Sequence, residues 1–139
     1  MRLMTIKVLV VDDDPSIREI LSTVLEAINY SVVTAPDGEQ ALALLEDAND
    51  TKSFSLVILD IMMPGLNGLD VLTRMKLRPM TASIPVIMLT ANQDPEDIIN
   101  GYQTGADYYM TKPFTRKQLL FGIESVLGLP IEGLEEDHL

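Results

Sequence analysis

The chain has 139 residues, 47% hydrophobic and 22% charged, a size and balance that exclude wholesale disorder and suit one globular domain. It has no cysteine, which rules out a disulfide scaffold, a thiolate zinc site and a cysteine nucleophile. Twenty-one acidic against ten basic residues leave a formal charge of −11. That counts against direct nucleic-acid binding, which depends on clustered Lys and Arg. No apolar run approaches the ~18 residues of a membrane span, and no signal-peptide pattern precedes the first strand. A cytoplasmic protein is expected.

The first strand is predicted from Ile6 to Val11, a near-continuous apolar run typical of a strand buried on both faces. Asp14 is placed as an N-cap with Pro15 at the first helical position. Ile17, Ile20, Leu21, Val24, Leu25 and Ile28 then fall on one face of a helix. A second strand is expected over 31–35 and a second helix over 37–48. The polar stretch 46–53 reads as a loop. A third strand over 54–59 leads through the Pro64-Gly65 turn to a helix over 68–77. A fourth strand over 84–89 is followed by a helix over 95–104, and a fifth over 106–110 by a helix over 115–127. Five strand-then-helix units imply a parallel sheet covered by helices on both faces. From Gly128 the chain is acidic and aperiodic; residues 129–139 are expected to fray or to begin a linker.

Open parallel sheets bind ligands at the carboxyl ends of their strands. Those ends carry Asp12 and Asp13 after strand 1, Asp60 after strand 3, Thr90 after strand 4 and Lys112 after strand 5. Three carboxylates together are costly unless a cation offsets them. Oxygen donors without His or Cys favour a hard ion, Mg²⁺ or Mn²⁺. Such a centre suits phosphoryl transfer. One carboxylate acts as the nucleophile and forms an aspartyl phosphate, while metal, ammonium and hydroxyl stabilise the phosphoryl oxygens.

The segments VLVVDDDPSIRE, LVILDIMMPGLNGLDVL, PVIMLTA and GADYYMTKPF match, in order and spacing, the receiver domain of two-component response regulators. The resemblance covers residues 5–128. It implies a flavodoxin-like doubly wound (βα)5 fold with strand order 2-1-3-4-5. It further implies Asp60 as phosphoacceptor, Asp13 as a direct Mg²⁺ ligand, Asp12 acting mostly through water, and the backbone carbonyl of Met62 completing the metal shell. Thr90 and Lys112 would sense the phosphoryl group, and Tyr109 would be the aromatic switch, with Tyr108 the alternative ring. A cis Lys112–Pro113 bond is typical of the family. The implied partners are a sensor histidine kinase or phosphotransfer protein, and a second copy through helix 4, strand 5 and helix 5. Regulators that pair through that face usually carry an acid and an arginine where this chain has Gln118 and Gly122.

Other readings fit less well. The lone His138 lies in the acidic tail and does not make a histidine phosphotransfer module. A haloacid-dehalogenase-like phosphatase also uses an aspartyl phosphate, but its D-x-D-x-[TV] motif is matched here only in its two acids. A flavodoxin-like electron carrier needs a hydroxyl- and glycine-rich phosphate loop where this chain has DDDPS.

Overall fold

Among the residues that the computed structural model describes (5–47, 54–91 and 95–131), five strands alternate with five helices. In chain order they are β1 (Lys7–Val11), α1 (Pro15–Ala27), β2 (Ser31–Ala35), α2 (Gly38–Glu46) and β3 (Phe54–Asp60). Then follow α3 (Gly68–Leu77), β4 (Val86–Thr90), α4 (Pro95–Thr104), β5 (Tyr108–Thr111) and α5 (Arg116–Leu127). All strand pairs are parallel and the order is β2-β1-β3-β4-β5. This is the flavodoxin-like doubly wound fold.

The apolar strand runs follow from burial on two sides. Leu9, Val11, Val57, Leu59, Val86 and Met88 form one core with α2 and α3. Val8, Val10, Leu56, Ile58, Ile87 and Leu89 form the other with α1 and α5. With both faces covered, no polar alternation is left to read.

Helix starts are fixed by side-chain caps. Asp14 accepts from the Ser16 amide at 2.8 Å and Asp37 from the Gln40 amide at 2.8 Å. Asn67 with Asp70, and Thr115 with Gln118, make reciprocal capping boxes.

Strand boundaries differ from expectation by one or two residues: β1 begins at Lys7, one residue late, and β4 and β5 each end one residue further on, at Thr90 and Thr111. β3 runs on through Asp60. β4 begins at Val86, two residues late, because the preceding Pro85 has no N–H to give a ladder; Val57 still donates to its carbonyl at 3.0 Å. β5 begins at Tyr108: the Asp107 N–H donates to the Val86 carbonyl at 2.9 Å as a strand residue's would, but the Val86 N–H is taken, also at 2.9 Å, by the Asp107 side-chain Oδ2 instead of a main-chain carbonyl.

The Lys112–Pro113 peptide is cis. α5 ends at Gly128 in the left-handed conformation, φ 68°. Just beyond it, Ile131 is buried in the α1/α5 core, and its N–H donates to the Glu124 carboxylate at 3.1 Å. Most of the 46–53 loop, and residues 132–139 with His138, lie outside the described residues. No helix among the described residues is long and apolar enough to cross a membrane.

Candidate functional site

Parallel strands bring distant residues to one edge. β1 ends immediately before Asp12 and Asp13, β3 ends in Asp60, β4 in Thr90, and Lys112 follows β5. Asp12 is fully buried, Asp60 and Thr90 are nearly so, and Asp13 is exposed. Carboxylate oxygens of Asp12, Asp13 and Asp60 lie within 4.8 Å of one another. Lys112 Nζ stands 2.7 Å from Asp12 Oδ2 and 3.3 Å from Asp60 Oδ2. The remaining oxygens are also engaged. Asp12 Oδ1 accepts from the Asp14 N–H at 2.9 Å, and Asp60 Oδ1 from the Met62 N–H at 3.2 Å.

The β3–β4 register sets Asp60 beside Leu89, so Thr90 is the next residue along the neighbouring strand. Thr90 pairs in turn with Thr111, and its carbonyl accepts from the Lys112 N–H at 2.8 Å. The sheet therefore delivers a buried carboxylate, a hydroxyl and an ammonium from three adjacent strands.

Electrostatics match this crowding. Burial, and after it the Asp12 carboxylate, push the Asp60 carboxyl from its ordinary 3.8 to about 7, against Lys112 and the Met62 amide, which pull it down. Burial pulls the Lys112 ammonium down. The hydrogen bond to Asp12 and the attraction of Asp60 and Asp12 outweigh it, and its pKa is raised. Three clustered carboxylates, two of them buried, with only oxygen donors, fit a hard divalent cation such as Mg²⁺. Met62 follows with an exposed side chain, its main chain already tied to Asp60.

The two tyrosines of β5 separate by face. Tyr108 packs with the α1/α5 core, where a β-carbon on Gly122 would come within 2.9 Å of its ring. The glycine that departs from the family's pattern on α5 thus leaves room for that ring. Tyr109 packs with the α2/α3 core and meets the Tyr102 ring of α4. Strand alternation puts Thr90 on the same face as Met88, hence the same face as Tyr109.

Sequence reasoning missed Arg18. Its Nη1 donates to the Asp12 carbonyl at 2.7 Å, which braces the acid loop from the first turn of α1. A lone basic residue one turn into a helix that follows an acidic cluster was the available signal. Tyr102 was missed because an aromatic residue near a helix end has no distinctive spacing.

Fold and site together define an α/β domain with a cluster of three carboxylates and an ammonium at its carboxyl edge. The comparisons narrow this. A family model described as response regulator receiver domain matches residues 8–124. A probable transcriptional regulator ycf27 of Cyanophora paradoxa is 49% identical over 87% of the chain and 48% of its own length. The transcriptional regulatory protein CpxR of Escherichia coli is 42% identical over 87% and 49%. The chain spans about half the length of the curated relatives it matches. Among solved structures, the chemotaxis protein CheY4 of Vibrio cholerae superposes with a TM-score of 0.81 at 35% identity, covering 88% of this chain and 99% of that one. A response regulator from Chloroflexus aurantiacus gives 0.81 at 32% identity, covering 90% and 99%. The chain belongs to the response regulator receiver domains of two-component systems, a family of signalling switches.

Proposed function

We propose that this chain accepts a phosphoryl group on Asp60 from a sensor histidine kinase or phosphotransfer protein, in a reaction that depends on Mg²⁺ or Mn²⁺. An Asp60 oxygen attacks the phosphorus of a phosphohistidine. The new P–O bond forms as the P–N bond breaks, and the leaving imidazole takes a proton from solvent. Asp12, Asp13, Asp60 and the Met62 carbonyl would hold the cation, which supplies charge neutralisation at the phosphoryl oxygens. Lys112 adds a further positive charge to those oxygens. The observation that carries the reading is the Asp12–Lys112–Asp60 contact, with Thr90 at the neighbouring strand end.

The phosphoryl group brings nearly two negative charges and three acceptor oxygens to this edge. Thr90 reaches one of them by moving toward Asp60, and Tyr109, on the same face, turns into the space vacated. The face made by α4, β5 and α5 then changes shape for a partner, a second copy included. The acidic balance supports a protein partner rather than nucleic acid, in the cytoplasm.

Incubation with Mg²⁺ and acetyl phosphate should add one acid-stable, base-labile phosphoryl group to the parent and none to Asp60→Asn. Equal labelling of the two would refute the assignment.

A further inference from the structure

We infer that Tyr102 is a positioning residue for Tyr109: its ring holds the Tyr109 ring, and with it α4, in the arrangement of the unphosphorylated chain. The inference rests on the switch proposed above. It starts from the geometry of the two rings, whose centroids are 5.0 Å apart with planes tilted by 51°. That is an attractive aromatic arrangement. Tyr102 sits in the last turn of α4, and Tyr109 in the middle of β5.

Two further observations make this pair matter. First, the backbone of α4 runs close to that of α3, and the Tyr102–Tyr109 pair is a side-chain tie from α4 to β5. Second, Tyr102 is 48% exposed while Tyr109 is packed on the α2/α3 core. The exposed ring closes over the outer side of the partly buried one. Any rotation of Tyr109 away from this position must part the pair.

A parted pair forfeits a roughly two- to tenfold bias in the equilibrium, the range that aromatic pairs supply beyond area burial. A bias of that size is enough to set how much phosphoryl donor the switch needs, because a two-state equilibrium moves by the differential stability of its states. Tyr102 therefore opposes activation, and the signal face opens only when phosphorylation overcomes the pair.

The test titrates acetyl phosphate at fixed Mg²⁺ against the parent, Tyr102→Ala, Tyr102→Phe, Tyr109→Ala and the Tyr102→Ala/Tyr109→Ala double variant. Steady-state phosphorylation of Asp60 is read alongside amide exchange over 102–111 without donor. Tyr102→Ala should halve, or lower up to tenfold, the donor concentration for half-maximal phosphorylation. It should also speed exchange at Tyr109 before any donor is added. Tyr102→Phe, which keeps the ring, should match the parent, and the alanine effect should vanish when Tyr109 is already alanine. An unchanged midpoint in Tyr102→Ala overturns the inference, as does an effect that survives in the Tyr109→Ala background. If even the parent fails to label, the proposed function fails; the donor-free exchange then still decides the ring pair, unchanged exchange in Tyr102→Ala overturning it. Should the alanine variant not fold, Tyr102→Leu, apolar but without the ring, carries the same expectations.

Discussion

Gly68 seats the first turn of α3 directly on the backbone of Asp60. A β-carbon at Gly68 would overlap the Asp60 carbonyl oxygen and stand 2.9 Å from both its carbon and the Ile61 Cα. The Gly68 N–H donates to the Ile61 carbonyl at 2.9 Å, so the contact is held from both sides. Ordinarily, glycine to alanine in a helix gains up to about 1 kcal/mol. Here overlap with main chain reverses the sign. Gly68→Ala should lose about 1–3 kcal/mol of stability and label more slowly at Asp60, because the carboxylate is pushed from its place. Urea unfolding and acetyl phosphate labelling check both; a variant as stable and as reactive as the parent contradicts the contact.

Asp60 also gives the fold a pH dependence. Its carboxyl is raised from 3.8 to about 7, so the folded chain keeps this proton to higher pH than the unfolded chain does. The stability it contributes is complete below about pH 4 and is lost as pH rises through about 7. In buffer with chelator, the parent should lose stability relative to Asp60→Asn across that window, and the gap should stop growing above it. Mg²⁺ favours the carboxylate, so it should bind more tightly above pH 7 than at pH 5 and close part of the gap. Urea midpoints at several pH values measure this. A gap that stays constant from pH 4 to 8 would contradict it.

Lys112 separates two carboxylates that otherwise face each other. Lys112→Met keeps the apolar stem and removes the ammonium from fully buried Asp12 and from Asp60. Without metal at pH 8, the variant should lose on the order of 2 kcal/mol, less than a fully buried pair because Lys112 is partly exposed. Mg²⁺ should bind it more tightly than the parent, since the cation no longer competes with an ammonium for the same oxygens. Calorimetric titration reads the affinity; equal affinity in the two proteins would mean that the ion pairs leave the cation site unaffected.

Much of this architecture was legible because apolar runs and helical periods alternate so regularly. The β1 run from Val8 to Val11 is fully buried. On the expected α1 stripe Leu21 and Leu25 are fully buried and Ile17, Val24 and Ile28 pack partly buried against the same core, whereas Ile20 is half exposed. The caps at Asp14 and the helix start at Gly68 followed from local chemistry. Strand ends were less legible. Ile84 is apolar and buried, yet precedes the ladder, because periodicity records burial and not hydrogen bonding. Ile131 illustrates the reverse: a single apolar residue in an acidic stretch has no period, and only the fold reveals that it joins the α1/α5 core. At the candidate site, Asp12, Asp13, Asp60 and Lys112 come together as strand ends should. Arg18 escaped notice because its link is to a carbonyl, a group every residue carries.

The paired bonds between Asp107 and Val86 bear on how β5 is aligned. β5 is an edge strand, joined to the sheet only through β4. Its neighbours Tyr108 and Tyr109 face opposite layers of the protein. A slip of one residue along β4 would turn each ring over to the other layer, setting Tyr109 against Gly122 and Tyr108 beneath Tyr102. Asp107 grips both the N–H and the carbonyl of Val86 at the start of the ladder, and so works as an alignment peg for the strand. The choice of which tyrosine lies under α4 is made there, at the end of the sheet remote from the acid cluster.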